Sequence, residues 1–355
     1  MKAIIFSPKG KKDLELSERN KPEISQNEVL VKVKEVGLDG TDKEIIQGDA
    51  GEIPEDKDGL IIGHECLGEV VKTGGNVENF ESGDLVVPTV RRPDDCINCQ
   101  EGEYDMCLNG NYTERGIKEE DGYLAEYFKE KPKFLVKIPK EIKETAVLLE
   151  PTSVAEKAVR TGYSVQDRMT WKPETALVAG SGTLGLLISY LLSLRDLDVN
   201  ITDVEEDERK KDILSTLSIR HFDGRDIKLH DIPDELGKQI DIIMEATGDS
   251  SVAFHSMFVV GTNGVVVLLS VTGGNENITF CADCLNEGLV LENKSVVGSV
   301  NSNKDDFKKG IEDMKKIEEK WPGLMEKLIT ARHDVSEIDE AIENMGDNIK
   351  TIIEF

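Results

Sequence analysis

The sequence predicts an α/β protein in which a mostly β domain is joined to a doubly wound parallel sheet. Two observations support this fold class. Short β-like runs separated by turns, namely KAIIF, EVLVKVKEVG, LGEVVKTG and GDLVVPTV, fill the chain to about Glu156. From Thr175 onward, strands that are apolar on both faces alternate with helices, which is typical of a parallel sheet covered by helices. A chain of 355 residues has room for both domains.

The elements of the second part follow in order along the chain. ALVAG is a buried strand and TLGLLISYLLSL an apolar-faced helix. VNITD and ERKKDILSTL form the next strand and helix, and DIIMEAT, GVVVLLS and SVVGSV are further apolar strands. DDFKKGIEDMKKIEEKW has the pattern of a charged amphipathic helix, and a closing segment ends in KTIIEF. We predict one domain over residues 1–155 with 304–355, and the other over 156–303.

The net charge of the protein makes some classes of binding partner unfavourable. Acidic residues outnumber basic ones by 70 to 43, which gives a formal net charge of -27. This charge opposes binding to nucleic acid or anionic lipid, and we expect neither partner. Because salt screens the mutual repulsion of these charges, we hypothesise a salt-adapted protein, the alternative being an ordinary acidic enzyme. No leader pattern or bilayer-length apolar stretch stands out, so we expect a cytoplasmic protein.

A glycine motif stands between the strand ALVAG and the following helix. Gly180, Gly182 and Gly185 form G-x-G-x-x-G, in which the first glycine permits a tight turn, the second lets pyrophosphate approach, and the third packs helix on strand. The helix N-terminus then faces the phosphates. This context predicts a Rossmann dinucleotide-binding domain, with mere turn glycines as the alternative. The predicted cofactor contacts in and beyond this loop are Gly180, Gly182, Thr183, Leu184, Gly185 and Thr247.

Asp203, in VNITDVEEDE, stands at the end of the next strand, where a carboxylate can accept hydrogen bonds from the adenosine ribose. Acidic residues follow it and would repel a ribose 2′-phosphate. We therefore predict NAD as the preferred cofactor, with NADP as the alternative because Arg209 lies nearby. The other interpretation of Asp203 is a helix N-cap.

Further motifs carry a family resemblance. In order they are GLDGTD, GHECLGEVV, a cysteine cluster, ERG, EPTSVAEKA, GSGTLG and GSVN, and they cover nearly the whole chain. This order resembles the zinc-dependent medium-chain dehydrogenases, and more narrowly the archaeal glucose dehydrogenases, including salt-adapted members. The resemblance implies a GroES-like catalytic domain and a catalytic zinc held by Asp39, His64 and Glu150. It also implies Glu65 as an alternate ligand or proton partner.

Asp39 stands where most of the wider family has a cysteine. A carboxylate in place of a thiolate makes the site harder, so discrimination for zinc over manganese or magnesium weakens. If Glu65 and Glu150 also bind while ionised, the site is formally negative and a metal-bound water is less acidic. We predict easy removal of the metal by chelators. The alternative for Asp39 is a loop turn residue.

The cysteines fall into two sets. In CINCQEGEYDMC, Cys96, Cys99 and Cys107 offer three thiolates for a structural zinc, and Pro93 stands where the family has a fourth cysteine. Asp94 or Asp95 could supply an oxygen instead, and a metal-free lobe with free thiols is the alternative. For Cys281 and Cys284 we predict ordinary thiols rather than a redox pair.

The resemblance also assigns the substrate residues. Thr41 is placed to touch the reacting hydroxyl or a proton relay, Glu114 and Glu150 to accept hydrogen bonds from the sugar, and Asn301 to bridge nicotinamide and sugar. The alternatives are loop packing for Thr41, an ion pair with Arg115 for Glu114, and strand-end capping for Asn301.

We predict oxidation of D-glucose at C1 to gluconolactone, with zinc as Lewis acid and hydride transfer to the nicotinamide. Galactose or a pentose could serve as well. The alternatives are a sorbitol-type polyol dehydrogenase and a catalytically inactive nucleotide-binding scaffold. The wider family makes a homo-oligomer, dimer or tetramer, the expected assembly.

Overall fold

The structure is a computed structural model that describes residues 1–8, 14–204, 207–273, 275 and 277–355. The chain divides into two compact units. The first comprises Met1–Ser153, Asn301–Glu318 and Leu328–Phe355, and the second comprises Val154–Val300 and Glu319–Lys327. Within the described residues, no helix has both the length and the apolar character needed to cross a bilayer.

Strands are numbered along the chain. They are β1 (Lys2–Phe6), β2 (Leu14–Glu18), β3 (Val29–Leu38), β4 (Leu60–Ile61), β5 (Glu65–Thr73), β6 (Leu85–Pro88), β7 (Arg91–Arg92), β8 (Thr113–Arg115), β9 (Glu119–Glu120), β10 (Tyr127–Glu130), β11 (Leu135–Lys137), β12 (Thr175–Ala179), β13 (Asp198–Asp203), β14 (Arg220–Asp223), β15 (Ile242–Glu245), β16 (Val265–Leu268), β17 (Ser295–Gly298), β18 (Ile329–Asp334) and β19 (Lys350–Glu354).

The α-helices are α1 (Gly40–Gln47), α2 (Ile97–Gln100), α3 (Leu149–Val165), α4 (Thr183–Leu194), α5 (Glu208–Leu217), α6 (Ile232–Leu236), α7 (Ser250–Val259), α8 (Ala282–Leu291), α9 (Lys304–Lys320) and α10 (Ile338–Glu343). Short 3₁₀ turns lie between them, including Tyr104–Met106.

The main sheet of the first unit has the order β11-β6-β5-β3-β19-β18, and β10 also pairs with β3. Strand β3 alternates buried and exposed side chains over its middle part, as expected for a sheet with one face on the core. Strand β19 lies antiparallel to β3, with Ile353 opposite Val36 and Thr351 opposite Leu38. This pairing brings residues near 350 next to the end of β3, where α1 begins.

The sheet of the second unit has the order β14-β13-β12-β15-β16-β17, and all its strands are parallel. Counted from β12, this is the 3-2-1-4-5-6 order of dinucleotide-binding domains. Strands β12 and β15 are buried along their whole length, which explains why their sequences are continuously apolar. The predicted α/β fold class with a doubly wound sheet is therefore confirmed.

Candidate active site

Asp39 lies between β3 and α1 and caps the helix. Its backbone is extended, and its Oδ1 accepts hydrogen bonds from the N–H groups of Thr41 at 2.9 Å and Asp42 at 3.3 Å. The Thr41 hydroxyl donates to Asp39 Oδ2 at 3.3 Å. That same Oδ2 lies 3.5 Å from Nε2 of His64. The helix N-terminus thus holds one oxygen of Asp39 and presents the other to the histidine.

Asp42 is a buried carboxylate that we did not predict. Its Oδ2 accepts the N–H of Asp39 at 3.1 Å, and its Oδ1 accepts the N–H of Gly63 at 3.1 Å. The side chain therefore ties the start of α1 to the segment that carries His64. Burial raises the pKa of Asp42 to about 7. The D-x-x-D spacing of a capping box is the sequence signal that could have revealed it.

His64 is 5% exposed and lies among carboxylates. Burial acts to lower its pKa, but the negative charges of Asp39, Asp42 and Glu150 raise the pKa of His64 well above its ordinary value. Its Nδ1 is buried and has no hydrogen-bond partner among the described residues. A pocket that favours positive charge so strongly is suited to a cation.

Glu65 is paired with a lysine that the sequence did not point to. Nζ of Lys350 lies 2.6 Å from Oε1 and 2.5 Å from Oε2 of Glu65, and it donates to the carbonyl of Leu38 at 3.1 Å. Both side chains are almost fully buried. Burial acts to lower the pKa of Lys350, but the charges of Glu65 and Asp39 raise it, so the amine stays protonated. A Cβ at Gly37 would overlap Glu65 Oε2, so a larger residue here would push the Glu65 carboxylate out of its present position.

The residues fit a divalent metal ion. Ligand atoms of Asp39, Asp42 and His64 lie within 4.8 Å of one another, and so do those of His64, Glu65 and Glu150. Asp39 and Glu150 fall in different groups, which share His64. Ligand atoms about 2.0–2.1 Å from a tetrahedral zinc lie about 3.3 Å apart, close to the 3.5 Å between His64 Nε2 and Asp39 Oδ2.

The charge balance also fits such an ion. Glu150, in the first turn of α3, is buried, and burial raises its pKa to about 8. With Lys350 balancing Glu65, the carboxylates of Asp39, Asp42 and Glu150 remain to be neutralised by a divalent cation. The sequence-based expectation of a formally negative site did not include Lys350.

Glu114 and Asn301 meet in the first unit. The Asn301 side-chain N–H donates to Glu114 Oε1 at 2.6 Å. The ion pair of Glu114 is with Arg91, whose Nη2 lies 2.9 Å from Oε1. Arg115 pairs instead with Glu120 and Glu130. The Glu114–Arg115 pair considered above is therefore wrong, because neighbours in a strand point to opposite faces of the sheet.

The cysteine lobe, residues 94–107, gathers four candidate ligands. Ligand atoms of Asp94, Cys96, Cys99 and Cys107 lie within 4.8 Å of one another. Cys107 Sγ is 3.2 Å from Asp94 Oδ2, and Asp94 Oδ1 accepts the N–H of Cys96 at 2.8 Å. A hydrogen bond from the N–H of Leu108 lowers the pKa of Cys96, which favours the thiolate. Of the two aspartates left open by the sequence, Asp94 is the one in this group.

Cys281 and Cys284 form a disulfide, so the prediction of ordinary thiols was wrong. The pair lies at the start of α8, with Cys281 as N-cap. Three residues of separation in a helical turn bring the two Cα atoms to 5.3 Å, which is within the range that a disulfide spans.

The glycine loop joins β12 to α4, as its motif indicates. Gly180 has φ +101°, and a Cβ there would come within 2.6 Å of the Ala246 carbonyl. A Cβ at Gly185 would overlap the Gly180 carbonyl, whereas one at Gly182 would meet nothing within 4 Å. Gly182 is the N-cap of α4, and Thr183 and Leu184 form its first turn. Of these three glycines, Gly182 is therefore the one that faces open space, where a pyrophosphate could approach.

Asp203 and Thr247, which were also predicted to contact the cofactor, form hydrogen bonds with neighbouring protein groups. Asp203 Oδ2 accepts the N–H of Ser181 at 2.7 Å and its hydroxyl, and Oδ1 accepts the N–H of Val204 at 2.6 Å. Asp203 thus braces the glycine loop. The Thr247 N–H and hydroxyl donate to the buried Glu245 at 2.7 and 2.6 Å.

Comparisons with known proteins cover the whole chain. The family profile "Alcohol dehydrogenase GroES-like domain" matches residues 25–140, and "Glucose dehydrogenase C-terminus" matches residues 143–355. The chain is 39% identical to the glucose 1-dehydrogenase of Methanocella arvoryzae over 359 residues, with 100% of this chain and 99% of the relative covered. It is 36% identical to that of Halobacterium salinarum over 360 residues, with the same coverage.

A solved structure of similar fold is that of Haloferax mediterranei glucose dehydrogenase in complex with NADP, Zn and gluconolactone. The TM-score is 0.92 at 36% identity, with 100% of this chain and 99% of that chain covered. The similarity therefore extends over both units.

Proposed function

This chain belongs to the glucose dehydrogenase family of zinc-dependent medium-chain dehydrogenases, and on that premise we propose that it oxidises D-glucose at C1 to gluconolactone with a nicotinamide dinucleotide. The observation that carries the proposal is the buried cluster of His64, Glu65 and Glu150, whose ligand atoms lie within 4.8 Å of one another. One histidine with two carboxylates is unlike the cysteine-rich ligand sets of structural zinc sites, which argues against a scaffold without catalysis.

We propose that Asp39, His64 and Glu150 hold the catalytic zinc in the first unit, which is the catalytic domain. When bound, zinc would supply Lewis acidity at the reacting sugar oxygen, and the nicotinamide dinucleotide would accept the hydride. Thr41 presents its hydroxyl beside Asp39, where it can accept a hydrogen bond from the sugar C1 hydroxyl and pass its own proton onward as that hydroxyl loses one. Lys350 donates to Oε1 of Glu65 and lies against Oε2, which supports a role for Glu65 as an outer carboxylate near the metal.

Glu114 and Asn301 serve sugar recognition in this proposal. A carboxylate that is already oriented can accept a hydrogen bond from a sugar hydroxyl without a further ordering cost. A site built to pair several hydroxyls penalises an analogue that leaves its polar groups unpaired. The contact between Glu114 and Asn301 supports their assignment to one sugar subsite.

We propose that the glycine loop, with Thr183, Leu184 and Thr247, binds the cofactor, and that NAD is preferred over NADP. The Haloferax mediterranei relative was solved with NADP. In this chain Asp203 places a carboxylate at the end of β13, and Arg209 is engaged by Asp207 through contacts of 2.5 to 3.0 Å. The 2′-phosphate of NADP would be repelled by the Asp203 carboxylate, and it would have to compete with Asp207 for Arg209.

The cysteine lobe is proposed to hold a second zinc through Asp94, Cys96, Cys99 and Cys107. Four ligands with three sulfurs are typical of a closed structural site. Metal analysis of the purified protein should give two zinc ions per chain and one in Cys107→Ser. A single zinc in the unmodified protein would contradict this part.

A homo-oligomer is part of the proposal. Strand β17 lies at an edge of its sheet, and four exposed apolar side chains lie on it and its neighbouring segments: Val290 (64%), Leu291 (71%), Val296 (37%) and Val300 (57%). An exposed apolar patch at a sheet edge is a surface to which another chain can bind. Light scattering on the eluting protein should give a dimer or a tetramer.

We also propose a cytoplasmic location, where nicotinamide dinucleotides are available, and cell fractionation checks it.

Formation of reduced nicotinamide with D-glucose, in molar KCl with zinc, tests the function. NAD and NADP are compared, and sorbitol is the control substrate. Turnover with glucose and a higher kcat/KM for NAD are expected. Activity on sorbitol but not glucose would move the assignment to polyols, and nucleotide binding without turnover on any sugar or polyol would indicate a scaffold.

A further inference from the structure

Arg91 is a buried arginine to which neither the sequence analysis nor the proposed reaction assigns a role. It lies in β7, directly opposite Glu114 of β8, and is 5% exposed. Its Nε lies 3.0 Å and its Nη2 2.9 Å from the same oxygen, Oε1 of Glu114. Asn301 donates to this oxygen as well. All three donors thus converge on one oxygen of the carboxylate.

The other oxygen of Glu114 has a different environment. Within the described part of the chain, no donor bonds to Oε2, and the side chain is 13% exposed. A carboxylate oxygen offers two lone pairs, so Oε2 is available to a hydroxyl that enters from outside. Arg91 therefore fixes the side of Glu114 that faces the protein and leaves the other side for a ligand.

The guanidinium is itself held by the cysteine lobe. Nη1 donates to the carbonyl of Asp105 at 3.0 Å and of Tyr104 at 3.4 Å. Both carbonyls belong to the 3₁₀ turn Tyr104–Met106, between Cys99 and Cys107. The Tyr112 ring covers the guanidinium with its centroid 3.7 Å away. The lobe backbone thus sets the position of the planar fork that orients Glu114.

We propose that Arg91 is a positioning residue for sugar recognition and that it transmits the state of the cysteine lobe to Glu114. The proposal rests on the proposed function. When the four ligands of the lobe are drawn together, the turn that carries the Tyr104 and Asp105 carbonyls is held in place, and with it the arginine. When the lobe is loose, Arg91 loses these acceptors and Glu114 loses its fixed orientation. The lobe thereby sets sugar affinity without touching the sugar.

The first test compares Arg91→Lys with Arg92→Lys. Arg92 is the matched control, because it is buried beside Arg91 and its side chain donates to Glu130, to Thr89 and to the Arg91 backbone carbonyl, but not to Glu114. In Arg91→Lys we expect the glucose KM to rise about tenfold, a loss of about 1.4 kcal/mol, with kcat within about twofold and the cofactor KM unchanged. Arg92→Lys should keep the glucose KM even where its thermal midpoint falls. An unchanged glucose KM in Arg91→Lys, or an equal rise for the cofactor, overturns the proposal.

The second test is a double-mutant cycle with Cys107→Ser, which opens the lobe. Alone, Cys107→Ser should raise the glucose KM, and in the Arg91→Lys background it should add nothing further. Effects that simply add would show that the lobe acts by another route. A readout independent of turnover is the rise in thermal midpoint that saturating D-glucose gives, which should shrink in both variants. If the unmodified enzyme turns over no glucose, the proposed function fails; if it does and the cycle is additive, only this coupling fails.

Discussion

Lys350 lies in the interior of the first unit with its ammonium group against both oxygens of Glu65. In Lys350→Met the Glu65 charge loses its partner, and breaking a buried pair in this way costs about 3–5 kcal/mol of unfolding free energy. The site also becomes more negative, so it should hold a divalent cation more tightly while polarising the substrate less. We expect a lower thermal midpoint without metal, slower zinc loss to a chelator and a reduced kcat.

Lys350→Arg is the control, because it keeps the charge. It should retain most of the thermal stability and show zinc loss close to that of the unmodified protein. Faster zinc loss in Lys350→Met than in Lys350→Arg would contradict the charge argument.

Asp39 supplies an oxygen where a thiolate would bind zinc more strongly. We expect dialysis against a chelator to strip the catalytic zinc readily and manganese to restore part of the activity. In Asp39→Cys, zinc should remain through the same dialysis, and rescue by manganese should disappear. Zinc analysis after timed dialysis measures this, and prolonged zinc retention by the unmodified protein would count against it.

At the residue scale, prediction succeeded where a short segment carries a pattern. GHECLGEVV and EPTSVAEKA drew attention to His64, Glu65 and Glu150, which the structure brings within 4.8 Å of one another, while their roles stay predictions. Lys350 carried no such pattern, and no role was predicted for Arg91. Lys350 meets Glu65 across 285 positions, and a contact of that range depends on strand pairing rather than on local sequence.

Two glycines at the turn from β12 into α4, Gly182 and Gly185, have different roles. A Cβ at Gly185 would overlap the Gly180 carbonyl, whereas one at Gly182 would meet no protein atom within 4 Å. Gly185→Ala should therefore lower both the thermal midpoint and the affinity for nucleotide. Gly182→Ala should keep the midpoint and lower only nucleotide affinity, because its methyl group would stand where the pyrophosphate approaches. Differential scanning fluorimetry and nucleotide titration separate the two, and equal effects would refute this division of tasks.

At the element scale, the long strands and helices were predictable because their apolar periodicity is local. The two-residue strands β4, β7 and β9 were not, since two residues carry no period. The disulfide at the start of α8 was missed for another reason. Spacing alone does not distinguish a C-x-x-C that is joined from one that is open, and the geometry that decides it belongs to the folded turn.

The whole molecule carries a formal charge of -27, which acts against its compact state. We expect the thermal midpoint to rise from low to molar KCl, as the Debye length falls from about 30 Å at 0.01 M to about 3 Å at 1 M. A neutral osmolyte of equal osmolality is the control and should reproduce little of the rise. A midpoint that does not respond to KCl would exclude salt adaptation.

Recognition of the family at the whole-molecule scale is confirmed by similarity over the full chain. The motifs made this possible because they lie in both halves of the sequence and in a fixed order. The lysine that balances Glu65 could not be predicted in the same way, because its position depends on which strands become neighbours.

The placement of β19 beside β3 has a consequence for synthesis. A ribosome that has produced Leu38 must add more than three hundred further residues before Thr351, its partner across the sheet, emerges. The parallel sheet of β12 to β17 emerges well before that and can fold first, since domains generally fold as units during synthesis. Until β19 arrives, residues 35–38 of β3 lack their partner strand and Glu65 lacks its lysine. Nascent chains stalled before residue 350 should therefore remain protease-sensitive in the first unit while the second is already protected.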